Sequence, residues 1–135
     1  MSTIIIACGA RKAPTTTAAA DLYTGPLFRA ARRAAEARTQ ESGTWLILSA
    51  RHGLIRPEDR IAPYEQTIRT KADVHQLAKL IASQPDPGPA ECWAPARYRA
   101  ALEEAGRSIT AAPLTGLGIG RQLQWFTRTA TNPNH

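Results

Sequence analysis

The stretch Trp45 to Tyr64, WLILSARHGLIRPEDRIAPY, constrains the fold more than any other part of the chain. Trp45, Leu46, Ile47 and Leu48 run without a polar interruption and read as a buried strand. The character then changes within four residues. Ser49, Arg51 and His52 follow at once, and Gly53 lets the chain turn sharply away. An apolar run that turns polar at a glycine delivers side chains to the carboxyl edge of an α/β sheet, where ligands usually bind.

The rest of the chain fits that frame. Thr3 to Cys8 is β-branched and apolar and reads as the first strand, followed by the loop Gly9 to Lys12. Ala13 to Ala20 is low in complexity and reads as a mobile surface loop. Pro26 suits the first position of a helix over Leu27 to Arg38, whose inner face is mostly alanine and whose outer face carries Arg29, Arg32 and Arg33. After the strand Thr44 to Ala50, a long connection runs from Arg51 to Thr70, and its anchors Leu54, Ile55, Ile61 and Tyr64 predict order. A helix over 72–83, a strand over 90–93, a helix over 95–105 capped by Gly106, a strand over 108–112 and a helix over 119–129 complete the order. Alternation of this kind predicts one α/β domain over residues 1–130. Its sheet is mostly parallel, four- or five-stranded, with helices on both faces; residues 131–135 form a frayed tail.

The 135 residues suffice for a single core, and no apolar run approaches the ~20 residues of a membrane span. The amino end has no basic flank or apolar run of signal-peptide length, so a cytoplasmic location is expected. Cys8 and Cys92 lack metal-ligand spacing, and with three histidines, one of them terminal, no metal or cofactor is expected. Cys92, beside Trp93, reads as a small buried residue. Net charge is +6, from 17 Lys and Arg against 11 Asp and Glu, which favours nucleotides, phosphates or nucleic acid as partners, or simply a solvated basic surface.

In such a fold the loops after the strands converge. Arg11, Lys12, Arg51, Arg97 and Arg121 are therefore expected around one crevice, with helix amino ends aimed at it. Gly116, Gly118 and Gly120 resemble a phosphate cradle at a helix start, although the spacing matches no nucleotide motif. His52 suits acid–base work near neutrality, in company with Ser49. Cys8 ends a strand near two cations, a setting that activates thiols, and the alternative reading is a packed, buried cysteine. Tyr23 and Tyr64 suit stacking on a base, and Asp21 and Glu65, with Glu58 and Asp59, are the acidic candidates for proton work.

Five strings, Cys8 to Lys12, Asp21 to Phe28, Leu48 to Leu54, Pro63-Tyr64 and Gly116 to Trp125, resemble the DUF6884 domain family of bacteria and phages. They add Gly9, Thr24, Gly25 and Gly53 to the expected substrate-binding set. The central stretch is also similar to the peroxide-stress YaaA family, which is linked to DNA binding and protection from oxidative damage. The Cys-x-x-x-Lys segment echoes the core domain of archaeosine synthase, a tRNA-modifying enzyme. Ala7 stands where the family often has serine, and Ala94 where it often has glycine. These resemblances imply an enzyme acting on a nucleobase, nucleoside or nucleotide, by glycosidic-bond cleavage or base exchange, or on DNA or RNA. The alternatives are a non-catalytic DNA-binding or oxidative-stress protein, and a regulatory binder of an anionic nucleotide-like metabolite. Oligomeric state is left open.

Overall fold

The computed structural model describes residues 2–133. Strands β1 (Thr3–Ala7), β3 (Thr44–Ser49), β6 (Ala90–Trp93) and β7 (Ile109–Ala111) are parallel, and β4 (Gly53–Ile55) pairs antiparallel with β3. The spatial order is β4-β3-β1-β6-β7. The expected five-stranded option is therefore the observed one, and the fifth strand lies within the long connection. Helices α2 (Pro26–Thr39) and α5 (Ile119–Thr131) pack together on one face of the sheet, and α3 (Lys71–Ala82) and α4 (Ala96–Glu104) on the other.

The period-2 geometry of strands divides the core. Ile4, Ile6, Ile47 and Trp93 join Phe28 and Phe126 on the α2/α5 side. Ile5, Leu48 and Cys92 join Leu77, Ile81 and Leu102 on the α3/α4 side. The alanine stripe of α2, Ala30, Ala31, Ala34 and Ala35, is buried, which lets the helix lie close to its neighbours. No helix among the described residues is long and apolar enough to cross a membrane.

Two local expectations change. The stretch from Ala13 to Ala20 is not a mobile loop: β2 (Thr17–Ala18) pairs with β5 (Arg60–Ile61), and the short helix α1 (Ala19–Leu22) follows. Ala19 N–H and Ala20 N–H donate to the carbonyls of Asp59 and Pro57, so this low-complexity segment is held by the long connection, which no local pattern reveals. Of the expected tail, Thr131 closes α5, and Asn134 and His135 lie outside the described residues.

The long connection has a second task. Tyr64 belongs to the core on the α2/α5 side and Ile68 to the core on the other. The segment between them therefore straps across the carboxyl end of the sheet. Gly53, at the turn into β4, has φ +71° and sits where a Cβ would lie 2.4 Å from the Gln84 amide oxygen. Gln84 accepts from Leu54 N–H and donates to the carbonyls of His52 and Leu54, so a side chain supplies the ladder that the edge strand β4 lacks.

Candidate functional site

The chain leaves β1 and β6 toward opposite faces of the sheet: β1 leads on to α2 on one side, β6 to α4 on the other. The adjacent carboxyl ends of β1 and β6 thus form the switch point of the sheet, where open α/β folds bind ligands. A cavity of about 300 Å3 opens there. Phe28, Trp93, Leu114 and Phe126 wall it, and Ile119, 67% exposed, stands at its mouth. Trp93 is fixed edge-on against Trp125 at 4.8 Å, with its indole N–H donating to Glu91. Among the described residues lining the cavity, Cys8 is the one nucleophile and Arg11 the one charged side chain.

The polar edge has three sources. The amino ends of α2 and α5 meet the cavity at Gly25 to Phe28 and at Ile119, and neither carries a side-chain cap, so their first N–H groups face outward from the helix. Gln122, on the wall, donates its amide nitrogen to the Leu117 carbonyl, which leaves the amide oxygen as the acceptor it can offer a ligand. Cys8, half-buried, is the third. Its sulfur accepts from Ala50 N–H at 3.4 Å and lies 3.5 Å from the Tyr98 hydroxyl.

Behind Cys8 is a buried hydroxyl relay. Ser49, fully buried, accepts from Arg51 N–H and His52 N–H. Both lone pairs are then engaged, so its own hydrogen goes to Tyr64, 2.7 Å away, and the Tyr64 and Tyr23 hydroxyls share a further hydrogen bond, also at 2.7 Å. Burial pushes the Tyr23 phenol up to about 12 and raises those of Tyr64 and Tyr98 as well. A negative charge on Cys8 would raise all three further, and Tyr98 is the phenol within reach of the sulfur.

The structure brings some expected site residues together and separates others. Cys8, Gly9, Arg11 and Gly25 line the cavity. His52 does not: it stands edge-on to Tyr64 at 5.3 Å, in a neighbouring groove with Arg51 and Glu65. Burial, and then Arg51, hold the imidazole below its ordinary range. The five cations expected around one crevice are dispersed. Arg51 is in that groove, Arg97 donates to the Ile68 carbonyl on the α3/α4 side, and Arg121 is exposed on α5. Lys12 donates to the carbonyls of Gly9 and Ala10 and sits 4.4 Å over the Tyr64 ring, bracing the loop after β1. Tyr23 is buried, so its ring packs instead of facing solvent, and Thr24 N–H donates to the Arg11 carbonyl. Asp21 is paired with Arg32 at 2.9 Å, and Glu65 is exposed on the strap. Gly116 takes φ +78° and so serves a turn, while open space surrounds Gly118 and Gly120. Tyr98, Gln122, Trp93, Phe28 and Phe126 were not among the residues expected in the site. Inward placement of Tyr98 on its helix was legible, but its approach to a residue ninety positions away was not.

The model for the family of unknown function DUF6884 matches residues 3–128. The chain belongs to that family. The five resembling strings lie inside the matched span, and three of them, Cys8 to Lys12, Asp21 to Phe28 and Gly116 to Trp125, contribute residues to the cavity. No curated protein matches the chain.

Proposed function

We propose that this DUF6884 protein is an enzyme that acts on a nucleobase, nucleoside or nucleotide, with Cys8 as the reacting group. One observation carries the reading: the single nucleophile on the cavity wall sits at the switch point, among aromatic side chains, with a neutral phenol 3.5 Å from its sulfur. A cavity of 300 Å3 lies at the lower end of the ~300–1,000 Å3 usual for ligand sites. That suits one planar ring system, stacked on Trp93, Phe28 or Phe126, with the Gln122 oxygen accepting from a ring N–H. Arg11 and the amino ends of α2 and α5 suit an attached phosphate.

No carboxylate or imidazole lines the cavity among the described residues, so Asp21 and Glu65 are not available there to stabilise an oxocarbenium-like centre. Base exchange or ring chemistry through the thiol fits these side chains better than hydrolysis by a carboxylate pair. Tyr98 would supply the hydrogen bond to the sulfur or to charge developing on the ring.

Cys92 simplifies the test. It is 1% exposed and burial raises its thiol to about 11, so a thiol reagent at neutral pH reads Cys8. Iodoacetamide labelling and thermal shift are measured over a panel of nucleobases, nucleosides and nucleotides, with chromatography for products. A ligand of this class is expected to raise Tm, to shield Cys8 and to be converted, with conversion lost in Cys8→Ala. Stabilisation without conversion in the wild type would leave a metabolite binder; no response to any member of the panel sinks the reading.

A further inference from the structure

Three shallow grooves lie beside the Cys8 cavity, each sharing a lining residue with the next. One, of about 370 Å3, contains Arg51 and Arg60 and ends at Glu65. Glu65 also borders a second, of about 340 Å3, which contains Lys12 and Arg69. Arg69 borders a third, of about 550 Å3, between α3 and α4, with Lys71 and Arg97. Ala10 borders both the middle groove and the Cys8 cavity and marks where a branch toward the thiol would start.

Charge along this path is one-sided. Arg51, Arg60, Lys12, Arg69, Lys71 and Arg97 line it against the carboxylates Glu65 and Glu104. None of the six cations makes an ion pair among the described residues, whereas Glu104 is held by His75 at 2.6 Å. The α3 amino end is occupied from within: Asp73 accepts from Arg69 N–H and Thr70 N–H. An anion on this path is therefore recognised by side chains. A row of cations without carboxylate partners, three of them also donating to backbone carbonyls, along neighbouring concave grooves suits a polyanion, and the cavity has room for one ring system only.

We propose that the track carries a single-stranded nucleic acid across the carboxyl edge, and that the Cys8 cavity receives one of its bases through the branch at Ala10. This rests on the function proposed above and makes the substrate a polymer. The phosphates lie along the six cations, and one unstacked base turns inward. A single strand meets this geometry at little cost, because its bases need no unpairing; a duplex is too broad for grooves of a few hundred Å3 and would first have to expel the base.

The test is fluorescence anisotropy with labelled DNA and RNA oligonucleotides of about 12 nucleotides, within the site size of one small domain, single-stranded and as duplexes, over a salt series. Single strands are expected to bind more tightly than duplexes. Replacing Arg51, Arg60 and Arg69 by alanine is expected to reduce the log–log salt slope by about 2, at ~0.7 per phosphate contact. All three are exposed, and the single variants, each losing about 0.7, serve if the triple variant shows a lowered Tm. The pair Arg29→Ala and Arg33→Ala, on the outer face of α2, is expected to leave the slope unchanged. A preference for duplex, no salt-dependent binding, or a slope lost only in the α2 pair overturns the proposal. So does an oligonucleotide that binds without shielding Cys8 from iodoacetamide. Free nucleosides that shield Cys8 while oligonucleotides fail to bind would sink the polymer alone and leave the cavity reading standing.

Discussion

At the scale of single residues, the two N–H groups that Ser49 accepts direct its own hydrogen to Tyr64 in the relay from Ser49 to Tyr23. Tyr64 is its middle member. Tyr64→Phe leaves the buried Ser49 hydrogen without its acceptor, and an unsatisfied buried polar group costs about 1–3 kcal/mol. Urea unfolding is expected to show that loss, with the m-value unchanged. The same phenols set the alkaline limit of stability. The Tyr23 hydroxyl titrates near 12 in the fold against an ordinary 10, so above pH 10 the unfolded chain gives up its proton first. Stability is therefore fully present below pH 10 and falls as pH rises toward 12. Tyr23→Phe should flatten that fall in chemical denaturation, and an unchanged slope would place the alkaline loss elsewhere.

At the scale of elements, α3 differs from the helices at the cavity. Thr70 accepts from Asp73 N–H while Asp73 accepts from Thr70 N–H, a reciprocal capping box. Hydrogen bonds from the Arg69 and Thr70 backbone hold the Asp73 carboxylate below its ordinary 3.8. Its contribution is present above that value and is lost as pH falls through the lower, folded one. The stability difference between wild type and Asp73→Ala should therefore be constant near neutrality and vanish in strong acid. Thr70→Ala is expected to cost about 1 kcal/mol, read as a lower urea midpoint. By contrast α2, α4 and α5 begin at Gly25, Pro95 and Gly118 with no side-chain cap. Residues that close a helix are found where the carboxyl edge needs order, and uncapped starts are found around Cys8.

At the scale of the whole molecule, one sheet feeds both cores, so neither layer has an independent centre. Phe126→Ala on one side is expected to cost about 3–5 kcal/mol and Leu102→Ala on the other about 2–5, each with a single unfolding transition by circular dichroism and tryptophan fluorescence. Two separate transitions would show the layers to be uncoupled. Under the function proposed above, Phe126→Ala should in addition weaken nucleoside binding, since Phe126 walls the cavity, whereas Leu102→Ala should not. The sequence by itself determined the elements: apolar runs of strand length, alanine and leucine stripes at helical spacing, and glycine or proline at their ends are local signals. It also placed Cys8, Gly9 and Arg11 at one edge, because the βα order alone brings the loops after parallel strands together, while Gly25 was expected from the family resemblance. Only the tertiary structure decided that His52 and Cys8 occupy different hollows, with Tyr64 standing against the His52 ring. Only it showed Tyr98 and Gln122 at the site, and the strap from Tyr64 to Ile68 across the sheet. Those arrangements depend on which face each helix takes and on contacts between residues far apart in the chain, and no spacing within a segment records them.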